Sequence, residues 1–225
     1  MNLMKRIAIL PSLFFILLFS QDLPDAWSQS YCTYDRAEVG APGDYSFGFA
    51  VDNFALYSND PDTVSYDERR FDIFAKLSIF RRMEVELKYS SPTAGLVAGK
   101  YQFLAGNVNV ALKLGFGYMK GTRSGYITDY VFDFYPTLIM TKKLYKGIGL
   151  YLAPKCIYSI HPRDTREHSN REPRHIFQYG YGIGLMIGDK FRVMPEANWL
   201  FGNNRGVKYT VNQFGIGVNL KIGSS

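Results

Sequence analysis

Apolar and polar residues take turns along most of this chain, from residue 45 to residue 222, and this alternation constrains the fold more than any other feature. A period of two is the spacing of a β-strand that shows one face to an apolar medium and the other to a polar one. Met83-Glu84-Val85-Glu86-Leu87-Lys88-Tyr89 is the plainest instance. Longer rows of the same kind are Phe71, Ile73, Ala75, Leu77 and Ile79; Val108, Val110, Leu112, Leu114, Phe116 and Tyr118; and Phe177, Tyr179, Tyr181, Ile183, Leu185 and Ile187. Counting such faces predicts about ten strands, with eight as the alternative if the short segments at 83–89 and 96–104 are misread. Short connections are expected at 80–82, 104–107, 141–147 and 188–190, and longer polar ones at 58–66, 90–95, 120–128, 161–175 and 202–208. An even number of strands joined by alternating short and long connections predicts an all-β fold, a single closed antiparallel barrel.

Alternation alone does not say which face is outside. Gly48, Gly115, Gly117, Gly149, Gly180, Gly182, Gly184, Gly215 and Gly217 all fall on the polar parity. Small residues suit the crowded inner face of a narrow barrel, so the polar face is read as the inner one. The bulk of the Phe, Tyr, Leu, Ile and Val side chains on the other parity exceeds what such an interior holds, which turns them outward. A mean hydropathy of −0.13 tells against a helical membrane protein but not against a barrel, where every second strand residue meets lipid. Aromatics, 16% of the chain, gather toward strand ends at Tyr45, Tyr57, Tyr89, Tyr118, Tyr130, Tyr158, Phe177, Phe191, Trp199 and Phe201, as interfacial girdles would. Pro136, Pro154 and Pro195 lie inside strand-like runs and predict bulges there. Asn53 and Asn212 fall on the outer parity and become near neighbours if the first and last strands pair.

At the N-terminus Lys5 and Arg6 precede a short apolar run, and Ala26-Trp27-Ser28 offers small residues where a signal peptidase reads them. Residues 1–28 are read as a cleaved signal peptide, with cleavage after Ser20 as the alternative, 29–43 as a short periplasmic segment and 44–225 as the barrel. Cys32 and Cys156 are not expected to bond, and Gln29-Ser30-Tyr31 is a poor lipidation signal before Cys32. The net charge of +6 is spread without a basic, aromatic-interleaved stripe, so no nucleic-acid partner is read.

The polar face carries both signs: Arg70, Asp72, Lys76, Glu84, Glu86, Lys88, Lys100, Lys113, Asp133, Lys155, Arg192 and Glu196. They are read as a charged network filling the lumen. A three-residue turn at 80–82 would pair Ile79 with Met83 and set Lys76 opposite Glu86, two charges that need each other once desolvated. A narrow water-filled pore is the alternative. His161, His168 and His175 lie in a charge-dense stretch without a nucleophile, base and orienter on strand support, so neither enzyme activity, nor a metal site, nor a cofactor is read.

The whole pattern resembles the small OmpA/OmpX-type outer-membrane barrel proteins. One local feature is sharper: Gln213, Gly215, Val218 and Leu220 are similar to the last-strand signal such proteins present to the barrel-assembly machinery. The hydrophobic pair here is aliphatic, and the chain runs on to Ser225 without a terminal Phe. The resemblance implies location in the bacterial outer membrane, and outer-membrane lipids and the assembly machinery as partners; oligomeric state stays open. It implies a structural or surface-interaction role through extracellular loops. A narrow porin-like channel and a soluble secreted barrel around an apolar ligand are the other readings.

Overall fold

The computed structural model describes residues 30–58, 66–91, 94–123, 127–161, 174–204 and 207–222. Ten strands follow one another: β1 (Tyr45–Ser58), β2 (Tyr66–Phe80), β3 (Met83–Ser90), β4 (Ala94–Leu104), β5 (Asn109–Arg123), β6 (Ile127–Tyr145), β7 (Ile148–His161), β8 (Arg174–Ile187), β9 (Phe191–Asn204) and β10 (Val207–Ile222). Each pairs antiparallel with the next, and β1 closes the circle on β10 from Tyr45↔Ile222 to Ser58↔Tyr209. Among the described residues the sheet closes on itself, so no strand edge is left open.

The alternation resolves as apolar outside. Phe116 is 48% exposed and Ile183 40%, whereas Lys113 is 4% exposed on the opposite face of β5. Phe47, Phe49 and Val51 on β1 and Phe214 and Ile216 on β10 continue the same outer belt. Several girdle aromatics, among them Tyr45, Tyr57, Phe177 and Phe191, stand on this outer surface, while the side chain of Tyr130 lies outside the described residues.

Three details differ from the sequence reading. The strands run further into the connections than the polarity of 90–95, 120–128 and 202–208 suggests; β5, for example, reaches Arg123 and β6 begins at Ile127. The turn after β2 is tighter than expected: Lys76 does face Glu86, but a register shift beyond Ser78↔Glu84 brings Phe80, not Ile79, opposite Met83. The other two shifts also sit beside turns, at Gln102/Leu104 and Lys143/Tyr145, and none falls at a proline. One register carries β6 against β7 across Pro136, from Phe134↔Tyr158 to Thr137↔Lys155. The bulges thus absorb the geometry of the tight reversals. The prolines cost ladder rungs without moving the strands.

The inner face is less uniformly polar than its glycines and charges imply. Phe54, Ile157, Leu200 and Val211 point inward and join Tyr31 in one buried cluster, while Phe74, Tyr151, Met186 and Met194 join Cys32 and Tyr34 in another.

Candidate functional site

The lumen is occupied by the chain itself. The segment read as periplasmic, 29–43, is instead internal over its described residues: from Asp44 back to Ser30 the backbone runs through the barrel. The reversal into β1 is set by Gly43, at φ +88, whose N–H donates to the Ser78 carbonyl at 2.8 Å, with Asp44 and Ser78 exchanging a further bond at 2.9 Å. At this mouth Lys221 donates to Asp44 at 2.6 Å and holds that carboxyl below its ordinary range.

An extended segment has no ladder of its own, so each of its peptide groups needs a partner once water is excluded. Strand side chains supply them. Ala37 N–H donates to Thr141 Oγ1 at 2.8 Å and Val39 N–H to Gln102 Oε1 at 3.1 Å. Thr33 and Tyr34 N–H both donate to Glu196, the shortest contacts 2.7 Å, and Tyr31 N–H donates to Gln213 Oε1 at 3.1 Å. The carbonyls are taken by ammonium groups: Lys76 donates to Tyr34 O at 3.1 Å, Lys155 to Tyr31 O at 2.6 Å, and Lys88 to both Ser30 O at 2.9 Å and Cys32 O at 3.1 Å. Tyr34 sits at φ +38, a left-handed conformation costly for a residue with a Cβ, and the shared Glu196 carboxylate fixes that bend.

The twelve charged residues read from the sequence all point into this lumen. Eleven are buried, and the Glu84 side chain, 11% exposed, is the most open. They do not simply neutralise one another. Asp35, from the segment, lies 2.9 Å from Lys76, 3.0 Å from Lys100 and 3.8 Å from Lys113, while Glu84 meets Lys100 at 2.7 Å and Glu86 meets Lys113 at 2.6 Å and Lys76 at 3.3 Å. Three ammoniums and three carboxylates thus close one network, and its middle member is Asp35. Glu196 is the second hub. Besides the two amides it accepts Tyr151 Oη at 2.5 Å and Asn198 Nδ2 at 2.8 Å, with Lys155 at 3.7 Å. Higher up, Asp133 accepts from Ser159 and faces the Tyr31 hydroxyl at 3.5 Å, Asp72 pairs with Lys88 at 2.9 Å, and Arg70 covers the Phe54 ring at 4.2 Å. Arg192 lies buried near the mouth.

Of the four last-strand residues, Gln213 and Gly215 face the segment. A Cβ at Gly215 would strike the Tyr34 hydroxyl, and one at Gly217 would come within 2.7 Å of the Tyr34 ring, so both glycines make room for that side chain. Val218 and Leu220 point outward. Sequence reasoning missed Asp35, Asp52, Tyr151 and Asn198. The available signal was charge: the twelve residues comprise seven cations (Arg70, Lys76, Lys88, Lys100, Lys113, Lys155, Arg192) and five carboxylates (Asp72, Glu84, Glu86, Asp133, Glu196), a surplus that requires acids from elsewhere.

His168 and the side chain of His161 lie outside the described residues. His175 stands exposed on the outer surface, stacked on Tyr158 and hydrogen-bonded to its hydroxyl at 2.8 Å. Among the described residues, no group of three or more His, Cys, Asp or Glu side chains could hold a metal ion, and Cys32 and Cys156 are free thiols on opposite faces of the wall.

A closed barrel with a hydrocarbon exterior and a charged interior has the build of a transmembrane β-barrel. No protein-family model matches the chain, and no curated protein matches it. Among solved structures it is similar to Neisserial surface protein A, at 12% identity and a TM-score of 0.46, over 82% of this chain and 100% of that one. It is also similar to the NanC porin, at 11% identity and a TM-score of 0.40, over 80% and 100%. A third is Ail, the attachment invasion locus protein of Yersinia pestis, at 12% identity and a TM-score of 0.31, over 80% and 99%. At such scores the architecture rests on this chain's own strand pairings.

Proposed function

We propose that this protein is an integral barrel of the bacterial outer membrane, exported by a leader at 1–28 and closed by its own N-terminal segment, which acts as a structural or surface-contact protein and not as a pore or an enzyme. The observation that carries this reading is the hydrogen-bonded run of residues 30–39 through the lumen. Among the described residues, two recesses near the mouth, of about 30 and 40 Å³ and each flanked by Arg36, Glu38 and Arg192, are too small for a continuous water column. A soluble barrel around an apolar ligand is disfavoured by the outward belt, which water would have to wet. Outer-membrane lipids would cover that belt, and Gln213, Gly215, Val218 and Leu220 would present β10 to the assembly machinery before the segment seats. Contacts with the outside would fall to the connections, chiefly 161–175.

Planar-bilayer recording tests the reading. The full mature barrel is expected to be electrically silent. Deleting residues 29–41 is expected to admit water and ions along the lysine-lined wall and produce conductance. Steady conductance from the full-length barrel would contradict the proposal.

A further inference from the structure

The outer belt is interrupted at one place. On β9 the outward side chains shrink at Pro195 and Ala197, and an open apolar trough of about 730 Å³ lies over them, reaching down to Gly184 and Gly215. Phe214 and Ile216 of β10 flank it on one side, Ile183 and Leu185 of β8 on the other. Trp199 stands above Ala197, its ring 5.5 Å from that of Tyr181 and edge-on to Phe214 at 5.9 Å.

The trough has a direction. One end is at Leu150 on β7, two residues past the tight turn into that strand, and the other at Asn53 and Arg69 on β1 and β2. Arg69 lies three residues into β2, next to the long connection that precedes it. From Arg69 the register steps to Asn53, Phe214, Ala197 and Ile183, crossing β1, β10, β9 and β8 toward β7. At the usual inter-strand spacing the path is about 24 Å long, the reach of an extended acyl chain. Strand tilt makes it slope from the long-connection end of the barrel toward the short-turn end.

Arg69 is exposed on a wall whose neighbouring side chains, Val51, Phe214 and Ile216, are apolar. Its cross-strand partner on the outside is the neutral Asn53, and among the described residues it has no carboxylate partner. An ionised group on a lipid-facing wall is unfavourable unless a counter-charge answers it. A second copy of the barrel would not answer it, because none of the described outward-facing strand side chains is acidic. A lipid with a phosphate headgroup does, since a guanidinium takes two phosphate oxygens at once.

We propose that this trough is a binding site for one acylated, phosphorylated glycolipid of the outer leaflet. Arg69 takes its phosphate, Asn53 offers its side-chain amide beside it, and an acyl chain lies over Ala197 and Pro195 toward Leu150. The inference rests on the outer-membrane reading above, which turns the long connections, and so Arg69, to the outside.

The test uses the full chain carrying Trp27→Phe, which leaves Trp199 as its one tryptophan. It is refolded into vesicles of phosphatidylcholine brominated in the acyl chains, which quench Trp199 on contact. Unbrominated lipid A, added as a minor component, is expected to relieve that quenching as if enriched about fivefold at the trough, the upper range for one exposed ion pair. Dephosphorylated lipid A should act only in proportion to its share. Arg69→Gln should remove the enrichment, and so should Ala197→Phe, which fills the trough and leaves the charge. The two lipids compared on the unsubstituted trough decide even if neither variant folds. Mass spectrometry of barrel extracted from cell membranes should find the phosphorylated glycolipid bound. Phosphatidylglycerol in its place, or relief of quenching that ignores the phosphates, in a barrel whose gel mobility still shifts on heating, would overturn the site alone. A protein recovered without detergent and unchanged by heating would overturn the barrel reading with it.

Discussion

Replacing Glu196 by alanine is expected to destabilise the barrel by about 3–5 kcal/mol, a fall of roughly a hundred- to several-thousand-fold in the folded-to-unfolded ratio. The carboxylate is buried and accepts from Thr33 N–H, Tyr34 N–H, Tyr151 Oη and Asn198 Nδ2 while facing Lys155. Alanine removes every one of these partners at once, and none of the donors can turn to bulk water. Two of them are backbone amides fixed at the Tyr34 bend, so the loss is expected to unseat the segment as well as weaken the wall. Urea titration of the refolded protein, read as the folded and unfolded bands on an unheated gel, measures the change. A shift below about 1 kcal/mol, the size of one ordinary hydrogen bond, would mean that Glu196 is not a hub.

The second large effect is expected at Asp35→Asn. Asp35 stands among Lys76, Lys100 and Lys113, and only Glu84 and Glu86 remain to answer three ammoniums without it. Leaving a buried charge uncompensated costs about 3–5 kcal/mol, and asparagine keeps the shape while removing the charge. Glu84 is the most open member of the network, so water entering from the mouth should place the loss toward the lower figure. Both substitutions act on one element. Once the segment has left the lumen, the contacts of the other site are already lost. The double variant is therefore expected to lose measurably less than the sum of the two single losses, whereas independent wall residues would add.

The wall of this barrel was legible because a period of two leaves its mark on every strand, and the parity of glycines such as Gly115 and Gly182 told inside from outside. The interior was legible only in kind. Lys76 facing Glu86 followed from counting back from one turn, even though a bulge displaced the pairing at Ile79. The segment at 30–44 left no such mark. It has no ladder and no alternation, and its partners lie far along the chain, as in Tyr31 with Gln213, 182 residues apart. The inward Phe54 and Ile157 were hidden for a related reason. Each interrupts the polar row in order to pack on Tyr31, a residue whose place cannot be read from strand periodicity. The histidine-bearing stretch, with His168 at its centre, was open to inspection only as composition.

Whether residues 30–44 lie inside the barrel is reported by Cys32 without any added probe. Its thiol is 3% exposed and accepts from Asn198 Nδ2 at 3.1 Å inside the lumen. In a Cys156→Ser barrel embedded in lipid, a water-soluble maleimide should modify Cys32 at least about tenfold more slowly than in the urea-unfolded chain. Labelling at the unfolded rate, in protein whose gel mobility still shifts on heating, would place the segment outside the barrel and contradict the account.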